Sequence, residues 1–218
     1  MFEAALFDWD GTLADTRHAI VVSFHQALQE NDLDVSTEYI ERRIGIGASD
    51  TFREILQTQR GSVDEQLVKK LVTRKSEIQV ELTNEVKLFD GAEELLAALQ
   101  GKVKVALASM NDRAVIDHLL KKIDLRECFQ VVLTGDRVSH SKPDPEIFLK
   151  TASELKVKLD RCVVFEDSIF GVQAAKSAGM GCIAVTTGVY NGEELEQFKP
   201  DLVVETLKDP KILPFVIQ

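Results

Sequence analysis

The sequence predicts an α/β chain built on a doubly wound parallel sheet, with a helical cap inserted after the first strand. Three observations predict it. A short apolar run, Phe2 to Phe7, opens the chain and delivers two carboxylates, Asp8 and Asp10. A stretch of about seventy residues follows with helical periodicity and no convincing strand. From Lys87 onward, short apolar runs alternate with amphipathic ones. Strands alternating with helices give a parallel sheet covered on both faces. The expected division is residues 1–14 and 88–218 for the core and residues 15–87 for the cap.

The first run is too short for a buried helix and reads as a strand. In extended backbone, residues two apart point the same way, so Asp8 and Asp10 face one side and Trp9 turns into the core. Two neighbouring anions repel, and burial raises their cost. A divalent cation relieves both, and hard oxygen ligands favour magnesium. Gly11 permits a sharp turn or a close backbone approach. In the cap, Ala19, Ile20, Phe24, Ala27 and Leu28 recur at helical spacing. Helical signals continue from Glu38 to Ile44, Asp50 to Leu56 and Asp64 to Leu82, broken by a tight loop at Gly45 and Gly47. Lys69, Lys70 and Lys75 read as a solvated helical face, with one of them reaching a substrate anion as the alternative.

The core then unfolds in order. Asp90-Gly91-Ala92-Glu93 has the spacing of a capping box ahead of a helix from Glu93 to Leu99. Strands are expected at Val103–Ala108, Phe129–Leu133, Val163–Phe165, Cys182–Val185 and Leu202–Val204. Between them lie a helix opened by Asn111 or Asp112, one from Glu146 to Leu155, and one from Phe170 to Ala178 ended by Gly179. Nothing from Lys208 onward shows a pattern.

Composition narrows the function. With 218 residues, 44% hydrophobic and 28% charged, the chain reads as an ordinary soluble globular protein. A net charge of −10 and a pI of about 5.0 argue against nucleic acid or a membrane surface as partner. A small phosphorylated metabolite is compatible, given a local island of cationic charge. No apolar run reaches spanning length and no secretory signal is visible. Cys128, Cys162 and Cys182 are odd in number and lack Cys-x-x-Cys spacing, so they read as reduced packing residues of a cytoplasmic protein. His18, His25, His118 and His140 show no ligand spacing. A monomer or homodimer is expected.

In doubly wound sheets, ligands bind at the carboxyl ends of the strands. Those ends carry Asp8 and Asp10, Ser109 followed by Asn111, the loop lysine Lys142, and Glu166-Asp167. Singly, Ser109 or Asp167 could be a helix cap and Lys142 a solvated loop residue. Converging on one rim, they are what metal-assisted phosphoryl transfer needs. Asp8 would attack phosphorus and form an aspartyl phosphate. Asp10 would protonate the leaving oxygen and then take a proton from water. Ser109, Asn111 and nearby amides would hold phosphoryl oxygens, with Lys142 neutralising charge. Asp167 would complete the metal site, and Glu166 would be a ligand or an outer partner.

The pieces Asp8-Trp9-Asp10-Gly11-Thr12-Leu13-Ala14-Asp15-Thr16, Ala106-Leu107-Ala108-Ser109, Ser141-Lys142-Pro143-Asp144-Pro145-Glu146-Ile147-Phe148 and Phe165-Glu166-Asp167-Ser168 with Gly171-Val172 occur in order across nearly the whole core. In these the chain resembles the haloacid dehalogenase superfamily phosphatases with a helical cap. The resemblance implies Asp8 as nucleophile and Asp10 as acid/base. It also implies magnesium held by the Asp8 carboxylate, the Asp10 backbone carbonyl and Asp167. Ser141 stands where the family often has Gly, and Asp90 precedes Gly91 where Pro is frequent.

Within that family, dehalogenases and phosphonate-cleaving relatives lack the second aspartate, so Asp10 counts against both. Sugar phosphomutases share all four motifs, but usually carry His four residues after the Thr matching Thr16 and an arginine in the cap loop. Here those places hold Ile20 and Ala48. The loop Arg43-Ile44-Gly45-Ile46-Gly47-Ala48 is more similar to that of phosphoglycolate phosphatases. Hydrolysis of a small phosphomonoester is the expectation, with a sugar phosphomutase as the alternative. A receiver-like or non-catalytic phospho-binding module is the alternative of another class. Receivers are about half this length and lack the insertion, and a silent module would be expected to lose one of Asp8, Asp10 or Asp167.

Overall fold

A strand buried on both faces of a sheet has no polar alternation, and Ala4–Phe7 (β1) is such a strand, every residue of it inaccessible. The computed structural model describes residues 1–217. It places β1 inside a six-stranded parallel sheet with β4 (Lys104–Ser109), β5 (Val131–Thr134), β6 (Cys162–Glu166), β7 (Gly181–Val185) and β8 (Leu202–Val204), in the order β5-β4-β1-β6-β7-β8. Phe7 stands opposite Leu107 on one side and Phe165 on the other. The strand order reverses beside β1, and at such a switch point the loops splay apart to leave a crevice.

Alternation assigns the two faces. Ala5 and Phe7 join the apolar cluster under α5 (Ala92–Leu99), α6 (Arg113–Lys122) and α10 (Ile212–Ile217). Ala4 and Leu6 join the opposite one, under α7 (Glu146–Leu155), α8 (Ile169–Ser177) and α9 (Gly192–Glu196). The Phe7 and Phe165 rings stack at 4.3 Å.

Between β2 (Ala14–Asp15) and β3 (Lys87–Leu88) lie four helices, α1 (Arg17–Gln29), α2 (Thr37–Glu41), α3 (Ala48–Arg60) and α4 (Glu65–Glu81). They share an apolar cluster of their own around Phe24, Phe52, Ile55 and Leu71, with the Phe24 and Phe52 rings 4.8 Å apart. β2 and β3 pair antiparallel, Ala14 with Leu88 and Asp15 with Lys87, so the two crossings run side by side. No helix among the described residues is long and apolar enough to cross a membrane.

Several local expectations are corrected. No capping box forms at Asp90: Gly91 holds the N-cap of α5 without a side-chain bond, and Asp90 pairs with Lys208 at 2.5 Å. A cation within reach competes with the helix amides for a short acidic side chain. The tail beyond Lys208 is not featureless, because α10 buries Ile212 and Val216 and accepts a backbone bond from Phe2. Lys69 and Lys70 are exposed as expected, but Lys75 is 4% exposed and faces the core.

Because Phe52 is inaccessible and ring-packed in the helical cluster, Phe52→Ala is expected to cost about 3–5 kcal/mol. Urea unfolding measures it, and a change below about 1 kcal/mol would mean the cluster repacks freely.

Candidate active site

All six buried acidic or basic side chains among the described residues fall in one place: Asp8, Asp10, Lys75, Lys142, Glu166 and Asp167. The fold brings them there from four segments. After β1 the chain reverses through Gly11 at φ +88°, with Leu13 and Ala14 both donating to the Trp9 carbonyl at 3.1 Å. Left-handed backbone is what glycine permits without strain. The reversal sends Trp9 into the core with Phe7 and Leu13, while Asp8 and Asp10 line a narrow cavity of about 30 Å³.

Lys142 arrives from the loop before α7 and is 1% exposed. Its Nζ donates to Asp8 Oδ1 at 2.6 Å, to Glu166 Oε1 at 2.5 Å and to the Ala108 carbonyl at 3.4 Å. Burial alone would lower its pKa, but Asp8 and Glu166 outweigh that and hold it above the ordinary lysine value. The second Glu166 oxygen accepts from the Asp167 and Ser168 amides and the Ser168 hydroxyl at 3.1, 3.2 and 3.0 Å. Glu166 is the last residue of β6, one position further into the strand than the sequence suggested, and both its oxygens are engaged.

Asp10 accepts from Thr16 Oγ1 at 2.7 Å, from Asn111 Nδ2 at 3.3 and 3.4 Å and from Ser109 Oγ at 3.4 Å. Burial raises its pKa, and the Thr16 bond, Lys75 and Asn111 only partly oppose this. Asp167 accepts from Thr12 Oγ1 at 3.0 Å. Its pKa is raised by burial, then by Glu166 and Asp8. Burial also raises that of Asp8, with Lys142 opposing. The structure therefore gathers every site residue expected from sequence: Asp8, Asp10, Ser109, Asn111, Lys142, Glu166 and Asp167.

Four buried carboxyl groups face two buried lysines, so acids outnumber bases in the cluster. Asp8 Oδ2 is buried and has no partner. One oxygen each from Asp8, Glu166 and Asp167 lies within 4.8 Å of the others. An unpartnered buried oxygen, a surplus of acids over lysines and an all-oxygen donor set fit a hard divalent cation such as magnesium.

Three participants escaped the sequence reading. Thr12 and Thr16 bind Asp167 and Asp10 through their hydroxyls. Lys75 reaches in from α4, bonded to Gln79 and, at 3.2 Å, to Asn111 Oδ1. It shares the cavity with Ile20, Phe24, Ile44 and Ala48. Its signal was available: Val68, Leu71, Lys75 and Ile78 fall on one helical stripe, and a lysine inside an apolar stripe is out of place unless it meets an anion. Arg43 lines the same cavity, but its guanidinium is committed to Glu54 at 2.7 and 2.5 Å.

A parallel sheet carrying an acid pair, a buried lysine and a hydroxyl at its strand ends suits a phosphoryl-transferring hydrolase. The profile of the haloacid dehalogenase-like hydrolases matches residues 5–185, and the chain belongs to that family. It is 30% identical over 217 residues to a phosphorylated carbohydrates phosphatase of Thermotoga maritima, covering 95% of this chain and 99% of that one. The crystal structure of a CbbY point mutant from Rhodobacter sphaeroides in complex with xylulose-(1,5)bisphosphate superposes with a TM-score of 0.84 at 29% identity, over 96% of each chain. A β-phosphoglucomutase from Clostridium difficile gives 0.86 at 26% identity, over 100% of this chain and 97% of that one.

Removing the shared ammonium leaves buried anions unpaired, so Lys142→Met is expected to destabilise the fold by about 3–5 kcal/mol. Urea unfolding tests this, and unchanged stability would show that the carboxylates are neutral in the folded chain.

Proposed function

We propose that this phosphoric monoester hydrolase cleaves a small phosphomonoester, of the phosphoglycolate or sugar phosphate kind, through an aspartyl phosphate on Asp8. The observation that carries the reading is the Asp8 carboxylate: buried, held by Lys142 at 2.6 Å on one oxygen, unpartnered on the other, and lining the cavity under α1–α4.

A carboxylate oxygen of Asp8 attacks phosphorus, and the bond from phosphorus to the leaving oxygen breaks. The electron pair stays on that oxygen, which takes a proton from Asp10. A carboxyl whose burial raises its pKa keeps that proton more readily near neutrality, as a general acid must. Water then attacks phosphorus and gives its proton to Asp10, now a carboxylate. The bond from phosphorus to Asp8 breaks, releasing inorganic phosphate and restoring Asp8. Lys142, Ser109 and Asn111 hold the phosphoryl charge throughout. Asp8, Asp167 and the Asp10 carbonyl are the groups that would hold magnesium. When bound, it supplies the positive charge that lets an anionic nucleophile meet an anionic phosphoryl group. With both oxygens engaged, Glu166 acts as the support that fixes Lys142.

Residues 15–87 serve as the cap. With Asp8 2% and Asp10 7% exposed, substrate reaches them when the cap lifts, and closure excludes water. Lys75 brings a cation to the leaving-group side, which favours a leaving group with a hydroxyl or a carboxylate near phosphorus. Ile20 and Ala48, the positions that matter in mutases, both line the cavity and offer it only hydrocarbon. That supports hydrolysis, because a mutase must hold a second sugar hydroxyl in line with the phosphoryl group and take its proton as the new O–P bond forms.

A panel of phosphoglycolate, hexose phosphates, nucleotides and pyrophosphate, assayed for phosphate release with magnesium and with chelator, tests the reading. Release from one or a few members, lost with chelator and lost by more than about a thousandfold in Asp8→Asn, is expected. Isomerisation of β-glucose 1-phosphate without release would make the chain a mutase. Lys75→Ala is expected to raise KM by about tenfold or more with little change in kcat. Steady-state kinetics checks it, and a fall confined to kcat would place Lys75 at the chemistry instead.

A further inference from the structure

Asp167 stands between two cavities that do not share it. The one under the helices is lined by Asp8 and Asp10 but not by Asp167. The other, of about 100 Å³, is lined by Asp167 together with Gly11, Thr187 and Gly188, and includes the exposed residues Asp15 and Arg17. Neither Asp8 nor Asp10 lines it. Both cavities exist while α1–α4 lie against the core.

The wall of this second cavity is built around the Asp167 carboxylate. A Cβ placed at Gly188 would overlap Asp167 Oδ2 and lie 2.7 Å from its Cγ. The backbone of Gly188 is not left-handed, so the residue is a glycine for room rather than for conformation. A Cβ at Gly11 would stand 2.6 Å from the same Cγ. Thr187 Oγ1 donates to the Gly11 carbonyl at 2.6 Å and ties the two glycine loops together around the carboxylate. Four residues on, a Cβ at Gly192 would meet nothing closer than 3.8 Å.

We propose that a divalent cation reaches Asp167 through this second opening, without passing the phosphoryl pocket, and that Gly188 is the residue that keeps the carboxylate in position for it. The inference rests on the magnesium placement given under Proposed function. Charge distinguishes the second path. Its lining holds Asp167 and the exposed carboxylate of Asp15, and the cation among its lining residues, Arg17, is paired with Glu41 at 2.8 Å, whereas the phosphoryl pocket places the buried Lys75 beside Asp8 and Asp10. An alanine at Gly188 would push the Asp167 carboxylate aside, while Gly188 itself does not line the phosphoryl pocket.

Trp9, the one tryptophan of the chain, lies between Asp8 and Asp10, so manganese bound beside Asp8 would quench its fluorescence. Quenching titrations on the full chain should show Gly188→Ala binding manganese about tenfold or more weaker than wild type, with Gly192→Ala unchanged. Equal affinity in Gly188→Ala and wild type overturns the positioning role. Stopped-flow quenching of the wild type needs no substitution and tests the path by itself. Saturating inorganic phosphate should leave the manganese association rate within about twofold, whereas a slowing of about tenfold would show the cation passing the phosphoryl pocket. A wild type that binds no manganese would overturn the magnesium placement as well, which separates failure of that reading from failure of this one.

Discussion

One ammonium holds two buried carboxylates at the centre of this protein. Lys142 bridges Asp8 and Glu166 at 2.6 and 2.5 Å, and it can do so because the loop before α7 drops it beside the ends of β1 and β6. Without it, two anions would be stranded in a site that water hardly reaches. The bridge also orients: Glu166 is itself fixed by three donors from Asp167 and Ser168, so the position of Lys142, and through it of Asp8, is set by the start of α8. The cluster holds four carboxyl groups against two lysines, an imbalance that fits a divalent cation.

The sheet explains why these groups meet. β1 runs between β4 and β6, so the residues that follow all three strands emerge side by side at the switch point. The face-to-face stack of Phe7 on Phe165 fixes β1 against β6 immediately before the acids begin. The helical insertion contributes a different kind of element. It brings apolar walls and Lys75 down beside the acids of the core, so the proposed reaction puts its chemistry on the core and its substrate contacts on the insertion. Asn111 joins the two, donating to Asp10 and accepting from Lys75.

Much of this is legible in the sequence because the physical signals are local. α7 spans Glu146–Leu155 and β8 spans Leu202–Val204, as periodicity and apolar runs indicate. The site residues are legible because loops at strand ends carry acids, a lysine and a hydroxyl in an order that bland explanations fit poorly. What escapes is set by contacts across the chain. β2 and β3 are two residues each, too short for any period, and exist only because they pair with each other. α9 and α10 are short, and α10 is held by its packing under the sheet. The capping box at Asp90 fails because Lys208 lies beyond any local window. Lys75 reads as solvated until α4 is laid over Asn111.

The central claim is that Asp8 becomes covalently phosphorylated. The most direct measurement is to quench turnover rapidly in the presence of substrate, reduce with borohydride and sequence the N-terminal peptide by mass spectrometry. An acyl phosphate on Asp8 is predicted to appear as homoserine at position 8, dependent on substrate and magnesium and absent in Asp8→Asn. A catalytically active preparation showing unmodified Asp8 at every quench time, or a phosphoryl adduct on another residue, would contradict the account.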